Sequence, residues 1–163
     1  MEHEMNQPQN TLIEKLRSLG KELPAVKSPA ANYKTFTCGD GLFYFSGLIG
    51  NPGLTVNGPV GVGVTTQIAE VEAELAALSL LAAINAAVDG EPERIVQVMR
   101  LGVFVAASAS FREHSRVANG ASNLLVNVLG DRGRHARTAV GVASLPNGAA
   151  IEIDAIVRVL PKS

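Results

Sequence analysis

From His135 to Val159 the chain alternates between apolar and polar residues, the pattern of strands that bury one face. Val140 and Val142 fall on one side of the first run, with Arg137, Ala139 and Gly141 on the other. After Leu145-Pro146-Asn147-Gly148 the pattern resumes, with Ile151, Ile153, Ala155 and Val157 interleaved with Glu152, Asp154 and Arg158. An Asn-Gly pair between two such runs predicts a hairpin with a two-residue turn. In that register Arg137 shares a sheet face with Glu152 and Asp154, and the aliphatic set lines the other face; a three-residue loop would reverse the parity.

The company of Arg137 is unusual for a solvated face. Ala139, Gly141 and Ala143 are too small to shield a guanidinium. Two readings are open: a ligand or another subunit packs there, or Arg137 is satisfied by an acidic neighbour within the fold.

A chain of 163 residues suggests one domain able to build a core without disulfide or metal staples. Charged residues make up only 18% against 47% apolar, and the net charge is −1. The single cysteine, Cys38, excludes an internal disulfide framework and fits a reducing compartment. Met1-Glu2-His3-Glu4 is unlike a secretory signal, and no run reaches the roughly twenty apolar residues of a membrane helix. The expectation is a soluble, cytoplasmic protein with no membrane partner.

Thr11-x-x-Glu14 has capping-box spacing and Gly20 is placed to stop the helix it opens, with Leu12, Ile13, Leu16 and Leu19 as its apolar stripe. Pro24 and Pro29 mark an extended connector, so residues 1–30 read as an N-terminal helix plus connector and 31–163 as a single domain. Tyr33 to Cys38 and Leu42 to Ser46 are strand-like runs around Gly39-Asp40-Gly41. Gly47 to Gly63 reads as a loop without the order of a phosphate cradle. Thr65 or Thr66 caps a helix to about Val88, with Ile68, Val71, Leu75, Leu78 and Leu81 as its stripe. Glu70, Glu72 and Glu74 do not share a helix face and read as a solvated helix start, not a metal site. Ile95 to Ala106 predicts a central strand buried on both faces. Ser110-x-x-Glu113 suggests a second capping box, opening a helix that Gly130 ends. The order is helix, two strands, helix, strand, helix, two strands: a layered fold in which both long helices can cover one face of the sheet.

The residues exclude several chemistries. No triad or zinc spacing is present; His3, His114 and His135 are scattered, and Ser46 lacks a nucleophile elbow. Arg132, Arg134, His135 and Arg137 form the one concentration of positive charge. It could meet nucleic acid phosphate, a small carboxylate or only water. With a net acidic chain and 4% aromatics, nucleic acid is the poorer match, and one arginine among small residues better suits a two-pronged grip on a carboxylate.

These residues carry a resemblance. His135-Ala136-Arg137-Thr138-Ala139-Val140, then Leu145-Pro146, then Ile151-Glu152-Ile153-Asp154-Ala155-Ile156, resembles the C-terminal signature of the YjgF/Rid (reactive intermediate deaminase) family, also called endoribonuclease L-PSP. Tyr33 ahead of a strand, Phe45-Ser46-Gly47 ending the next, and Asn119 early in the second long helix extend it over about Ala31 to Val159. The resemblance implies an α+β, chorismate-mutase-like mixed sheet with two long helices on one face, the extra short N-terminal helix lying outside it. It also implies a homotrimer with sites between subunits. The activity implied is hydrolytic deamination of enamines and imines to 2-oxo acids and ammonia, with no cofactor. By position, Arg137 would bind the substrate carboxylate and Glu152 would orient the attacking water. Tyr33 would close over the ligand, with Asn119, Gly47, the Ala139 backbone and His135 lining the site. The family's active branch has Cys in place of Ala139, Glu in place of Gly141, and Gly-Pro-Tyr-Ser-Gln in place of Ala31 to Thr35. A non-catalytic trimeric binder of small carboxylates is therefore the alternative, and ribonuclease activity a distant third. The expected hairpin register puts Glu152 opposite Ala143, with Arg137 six positions on, about 20 Å away. A site using both would then need a neighbouring chain.

Overall fold

The computed structural model describes residues 11–26, 28–29, 31–50 and 59–162. Along the chain these form α1 (Thr11–Ser18), β1 (Phe36–Gly39), β2 (Leu42–Ile49), α2 (Thr66–Ala87), β3 (Ile95–Ala106), α3 (His114–Leu129), β4 (Ala136–Val142) and β5 (Ile151–Val159). The polar segment 1–10 and positions 51–58 of the glycine-rich stretch lie outside the described residues. Asp40 and Gly41 both take positive φ between β1 and β2, as a tight two-residue turn requires.

The strand order is β1-β2-β5-β3-β4, antiparallel throughout except for the β3–β4 pair. The expected C-terminal hairpin is therefore absent. β3, the most continuously aliphatic strand, lies between β4 and β5 and hydrogen-bonds to both. The chain crosses the end of β3 to get from one to the other, and the Ala106 N–H donates to the Ala150 carbonyl at the crossing, 2.9 Å. Asn147 and Gly148 do bend the chain, in a single 3-10 turn with φ of 57° and 69°, but they close no ladder.

This register also corrects the expected faces. Arg137 lies level with Leu101 and Ala155, both buried beneath the helices. Val140 lies level with Phe104 and Glu152. Laterally paired residues share a face, and an offset of three residues switches it. Arg137 thus points to the helix side and Glu152 to the uncovered side. β3 is likewise buried on one face only: Leu101, Val103 and Val105 face the core, while Met99 is 43% exposed.

α2 and α3 cover the helix side, packing against each other and building the core with β5, β3 and β2. Thr65 caps α2, accepting from the Ile68 N–H at 3.2 Å. The buried face of α2 is Ala69, Ala73, Ala76, Ala77, Leu80, Leu81 and Ile84, whereas Ile68 and Val71 of the expected stripe are exposed. Small residues win this face because the helices approach closely: a Cβ on Gly120 of α3 would run into the Glu70 carbonyl of α2. The second capping box does not form. Glu113 makes no cap bond and instead accepts from Thr66 Oγ1 at 2.8 Å and Arg116 at 3.0 Å, tying the start of α3 to α2. α1 stops at Gly20 (φ 68°) and buries Leu12 and Leu16 against the same core. Lys21 then pairs with Glu74 of α2. No helix among the described residues is long and apolar enough to cross a membrane.

No helix among the described residues covers the other side of the sheet. Tyr44 and Val140 stand there 46% and 41% exposed, beside half-buried Ile49, Phe104 and Ile156. The Gly120 contact gives a stability prediction. Gly120→Ala would gain roughly 1 kcal/mol of helix propensity, but a Cβ against a backbone carbonyl costs about 1–3 kcal/mol. A net loss in urea unfolding is expected; a more stable variant would show that the close approach does not exist.

Candidate functional site

Arg137 is on edge strand β4, and its guanidinium is held by one face of α3. Nη1 donates to Asn119 Oδ1 and to Ser122 Oγ, each at 3.0 Å, and Nη2 donates to the Ser115 carbonyl at 3.2 Å. Asn119 and Ser122 lie on one helical face with Ser115, so about two turns of α3 present three acceptors, two side chains and the Ser115 backbone carbonyl. A guanidinium carries five N–H groups. The two left without a partner among the described residues are the one on Nε and one of the two on Nη2. Two N–H donors are what a two-pronged grip on a carboxylate uses. Neither acidic residue of the expected shared face touches Arg137: Asp154 pairs with Arg100 at 3.2 Å, and Glu152 is on the other side of the sheet. The reading of Arg137 as an arginine neutralised within its own fold thus has no acid to support it among the described residues.

His135 fixes this arrangement from behind. Its Nδ1 lies 2.6 Å from the Gly133 carbonyl, which can only accept, so Nδ1 carries the proton. Nε2 then accepts from the Ser122 hydroxyl at 3.0 Å, which leaves the Ser122 oxygen to accept from Arg137. Burial of the half-buried ring holds its pKa below the usual histidine range, opposed by the Gly133 bond and assisted by the Arg137 charge. The neutral imidazole is the form this chain of bonds needs. Ala139 follows Arg137 on the same face and packs against the core.

Tyr33, Gly47 and Glu152 form a second group. β2 bulges at Ser46 and Gly47, between the Phe45–Ala155 and Leu48–Ile153 pairs. The bulge turns Ser46 toward the connector: its N–H donates to the Thr35 carbonyl at 2.9 Å and its hydroxyl to the Lys34 carbonyl at 2.6 Å. That anchors Tyr33, 58% exposed, beside Gly47 at the rim of a groove of about 760 Å³. A Cβ on Gly47 would collide with the Glu152 carboxylate, so glycine makes the room that Glu152 occupies. Burial, and next the Asp154 charge, raise the Glu152 pKa above the usual carboxylate range.

The two groups do not meet within one chain. Along the sheet their levels differ by three residues, roughly 10 Å, and two strand spacings across add roughly 10 Å more. They also face opposite sides. The hairpin register would put the two residues about 20 Å apart; this register puts their strand positions roughly 14 Å apart and on opposite faces. The basic cluster disperses as well. Arg132 donates to the Pro92 and Ile95 carbonyls, Arg134 pairs with Asp131, and Arg137 turns to α3.

Three residues escaped sequence reasoning. Ser115 and Ser122 were signalled only by their helical spacing with Asn119, a polar stripe on a helix read for its apolar one. His114 gave no signal of place. It stacks edge-on against Phe111, ring centroids 5.0 Å apart, and its Nε2 lies 2.6 Å from where a Cβ of Gly141 would sit. The imidazole thus fills the space a side chain at 141 would use.

The His135 linkage has a sign that can be measured. The folded chain holds the ring neutral at a pH where the unfolded chain takes up a proton. Its contribution to stability is complete above the unfolded pKa of about 6.5 and is lost as pH falls below it. Going from about pH 7.5 to about 5.5, the wild type should lose more unfolding free energy than His135→Asn does. Equal losses would mean that the fold does not keep the imidazole neutral.

The endoribonuclease L-PSP family model matches residues 24–159. Protein TCP17 of Trypanosoma cruzi is 42% identical over 146 residues, 88% of this chain and 91% of that one. The crystal structure of Atu1372 from Agrobacterium tumefaciens, a protein of unknown function, is 44% identical, with a TM-score of 0.85 over 92% of this chain and 93% of that one. A Shewanella oneidensis MR-1 structure, proposed to be an endoribonuclease, is 27% identical, with a TM-score of 0.84 over 91% and 99%. RidA from an Antarctic Psychrobacter is 23% identical and shares the fold, with a TM-score of 0.53 over 82% of this chain and 94% of that one. The anchored arginine on β4, the bulge at Gly47 and the two-helix mixed sheet thus sit in a chain that belongs to the YjgF/Rid family, known also as endoribonuclease L-PSP.

Proposed function

We propose that the protein hydrolyses small reactive 2-imino acids, and the enamines in equilibrium with them, to 2-oxo acids and ammonia in the clefts of a homotrimer. The observation that carries this reading is the Arg137 guanidinium, fixed by three hydrogen bonds to one face of α3 with two N–H donors left over among the described residues. A substrate with a carboxylate next to its C=N bond would be gripped there and its reactive carbon held at a set distance from the arginine.

Glu152 supplies the acid–base step. A half-buried carboxyl with a raised pKa exchanges a proton closer to neutrality than an exposed one. With the imine nitrogen protonated, Glu152 would take a proton as the water oxygen bonds to the imine carbon and the C=N π pair moves to nitrogen, giving a neutral tetrahedral carbinolamine. Returned to nitrogen, the proton makes ammonia the leaving group; as the C–N bond breaks, the carbinolamine hydroxyl gives its proton to the Glu152 carboxylate and the C=O bond of the 2-oxo acid forms. An imine carbon is already electrophilic, so holding a water against it lowers the barrier without further activation.

Arg137 and Glu152 lie on opposite sides of their own sheet, so the cleft would take the arginine from one chain and the glutamate from the next. The uncovered sheet face with Tyr44, Phe104, Val140 and Ile156 supports association, because a bare apolar sheet face marks an interaction surface. Each chain offers an edge carrying Arg137 and a bulge at Gly47 beside which Glu152 lies, two different patches, and such contacts close into a ring. The second reading, a trimer that binds small carboxylates without turning them over, draws on Ala139 and Gly141 standing where the active branch has Cys and Glu. Release of 2-oxo acid from freshly generated 2-iminopropanoate, faster than in buffer, separates the two.

Two outcomes follow from the shared site. Arg137→Lys keeps the charge but not the fork, and should cost about tenfold or more in kcat/KM with folding intact; wild-type behaviour would remove the carboxylate grip. Arg137→Ala and Glu152→Gln proteins, each inactive, should regain part of the activity when unfolded and refolded together, since some clefts then receive both wild-type residues. No recovery from verified mixed trimers would place the two residues in separate functions.

A further inference from the structure

The groove beside Tyr33 and Gly47 is walled by the connector between α1 and β1, most of which lies within the 24–159 family match. β1 pairs with β2 only as far as Phe45, so the rest of β2, Ser46 to Ile49, has no strand on its outer edge among the described residues. The connector takes that place. It is pinned at its start by the Lys21–Glu74 ion pair on α2 and at its end by the two Ser46 bonds to Thr35 and Lys34. Leu23 packs against the core between these pins, and α1 upstream is sealed in by Leu12 and Leu16. The result is a wall standing off α2, with about 760 Å³ between them.

The lining of that space is mixed. Tyr33, Ser46 and Gly47 line it, and Gly47 also adjoins the Glu152 carboxylate of the proposed site; Leu23, Leu48, Leu75 and Leu78 supply its apolar lining. Among the described residues of its wall the sole charged side chain is Glu22, which is exposed. A ligand pocket commonly measures about 300–1,000 Å³, and an imine with a methyl side chain would leave nearly all of this one empty. The wall has no cation, among the described residues, to neutralise a second carboxylate.

We propose that this groove is the subsite for the substrate's side chain, and that it selects 2-imino acids with large uncharged apolar side chains, branched aliphatic or aromatic, over the methyl-bearing and acidic ones. The inference rests on the deaminase-site reading above for the position of the carboxylate. On this reading the connector carries the outer wall of the specificity pocket. Each methylene placed in a fitted apolar pocket discriminates by roughly 10-fold or more, so the preference over a methyl group is large enough to measure.

The 2-oxo acid products are stable in water and keep both the carboxylate and the side chain. Calorimetric titration of the full-length protein with pyruvate, 4-methyl-2-oxopentanoate, phenylpyruvate and 2-oxoglutarate reads the subsite without turnover. 4-Methyl-2-oxopentanoate and phenylpyruvate should bind at least about tenfold tighter than pyruvate, and 2-oxoglutarate no tighter than pyruvate. Ser79→Phe, filling the groove from α2, should cancel the preference. Val26→Glu, changing an exposed wall residue that the fold does not depend on, should reduce it and cover the case in which the Phe variant fails to fold. Equal affinities for pyruvate and 4-methyl-2-oxopentanoate, or a preference that survives both folded variants, would mean that something else fills the groove, a neighbouring copy included, and would overturn the subsite. Binding that Arg137→Lys abolishes, but without any side-chain preference, would overturn the subsite alone. No binding by any of the four would overturn the site reading with it.

Discussion

Two helices can cover only one face of a five-stranded sheet, and the placement of every residue of the candidate site follows from that asymmetry. α2 and α3 bury Leu101, Val103, Ile153, Ala155 and Val157 on one side and leave Tyr44, Phe104, Val140 and Ile156 on the other. A residue on any strand therefore has one of two fates. Arg137, on the covered side but at the outermost strand, is within reach of α3 and still at the edge. Glu152, on the bare side and two strands in, has its carboxyl partly desolvated where β2 bulges. A strand shift of one residue would exchange these environments.

The electrostatics of the two groups are complementary in kind. Arg137 lies near no carboxylate among the described residues; its donors are spent on neutral oxygens of Asn119, Ser122 and Ser115. Neutral acceptors orient a guanidinium without cancelling its charge, so the charge remains for a ligand. Several acids elsewhere are paired: Asp154 with Arg100, Glu113 with Arg116, Glu74 with Lys21, Asp131 with Arg134. Glu152 makes no ion pair among the described residues, and its nearest charged influence is the like charge of Asp154, which works with burial to favour the protonated form. A free cation edge and a proton-holding carboxyl are the two halves that hydrolysis of an anionic imine requires.

The order and type of the elements were legible because each rests on local signals: the Thr65 cap, the glycine stop at Gly130, the turn at Asp40-Gly41 and the aliphatic run of β3. Strand pairing was not, because it depends on which strand wins the centre. Asn147-Gly148 has the residues of a hairpin turn, yet the run 95–106 is more apolar than either flanking strand and is inserted between them. The stripe of α2 misled for a related reason. Periodicity favours the largest side chains, whereas close packing on α3 selects Ala69, Ala73 and Ala76 and turns Ile68 and Val71 outward. Of the candidate site, Arg137, Asn119, His135 and Ala139 do come together, and so do Tyr33, Gly47 and Glu152. What joins Arg137 to His135 is Ser122, whose signal was only its spacing.

The departures from the family's active branch act at different ranges from Arg137. Position 141 is four residues along the strand, roughly 13 Å away, beyond the screening length of roughly 8–10 Å at ordinary ionic strength. Losing an acid there changes the field at the guanidinium little, and its main effect is steric: His114 moves into the space. Position 139 is only two residues away on the same face, roughly 7 Å, within reach of a ligand held by the arginine. Alanine there removes a thiol that could contact the ligand but leaves the backbone, and with it the line of the strand. Neither change touches Ser115, Asn119 or Ser122, which set the guanidinium. In the proposed site, the grip on a carboxylate and the shape of what lies beyond it would therefore fall to different residues, on α3 and on the β4 row with the connector groove. On that reading a chain can keep the first while altering the second.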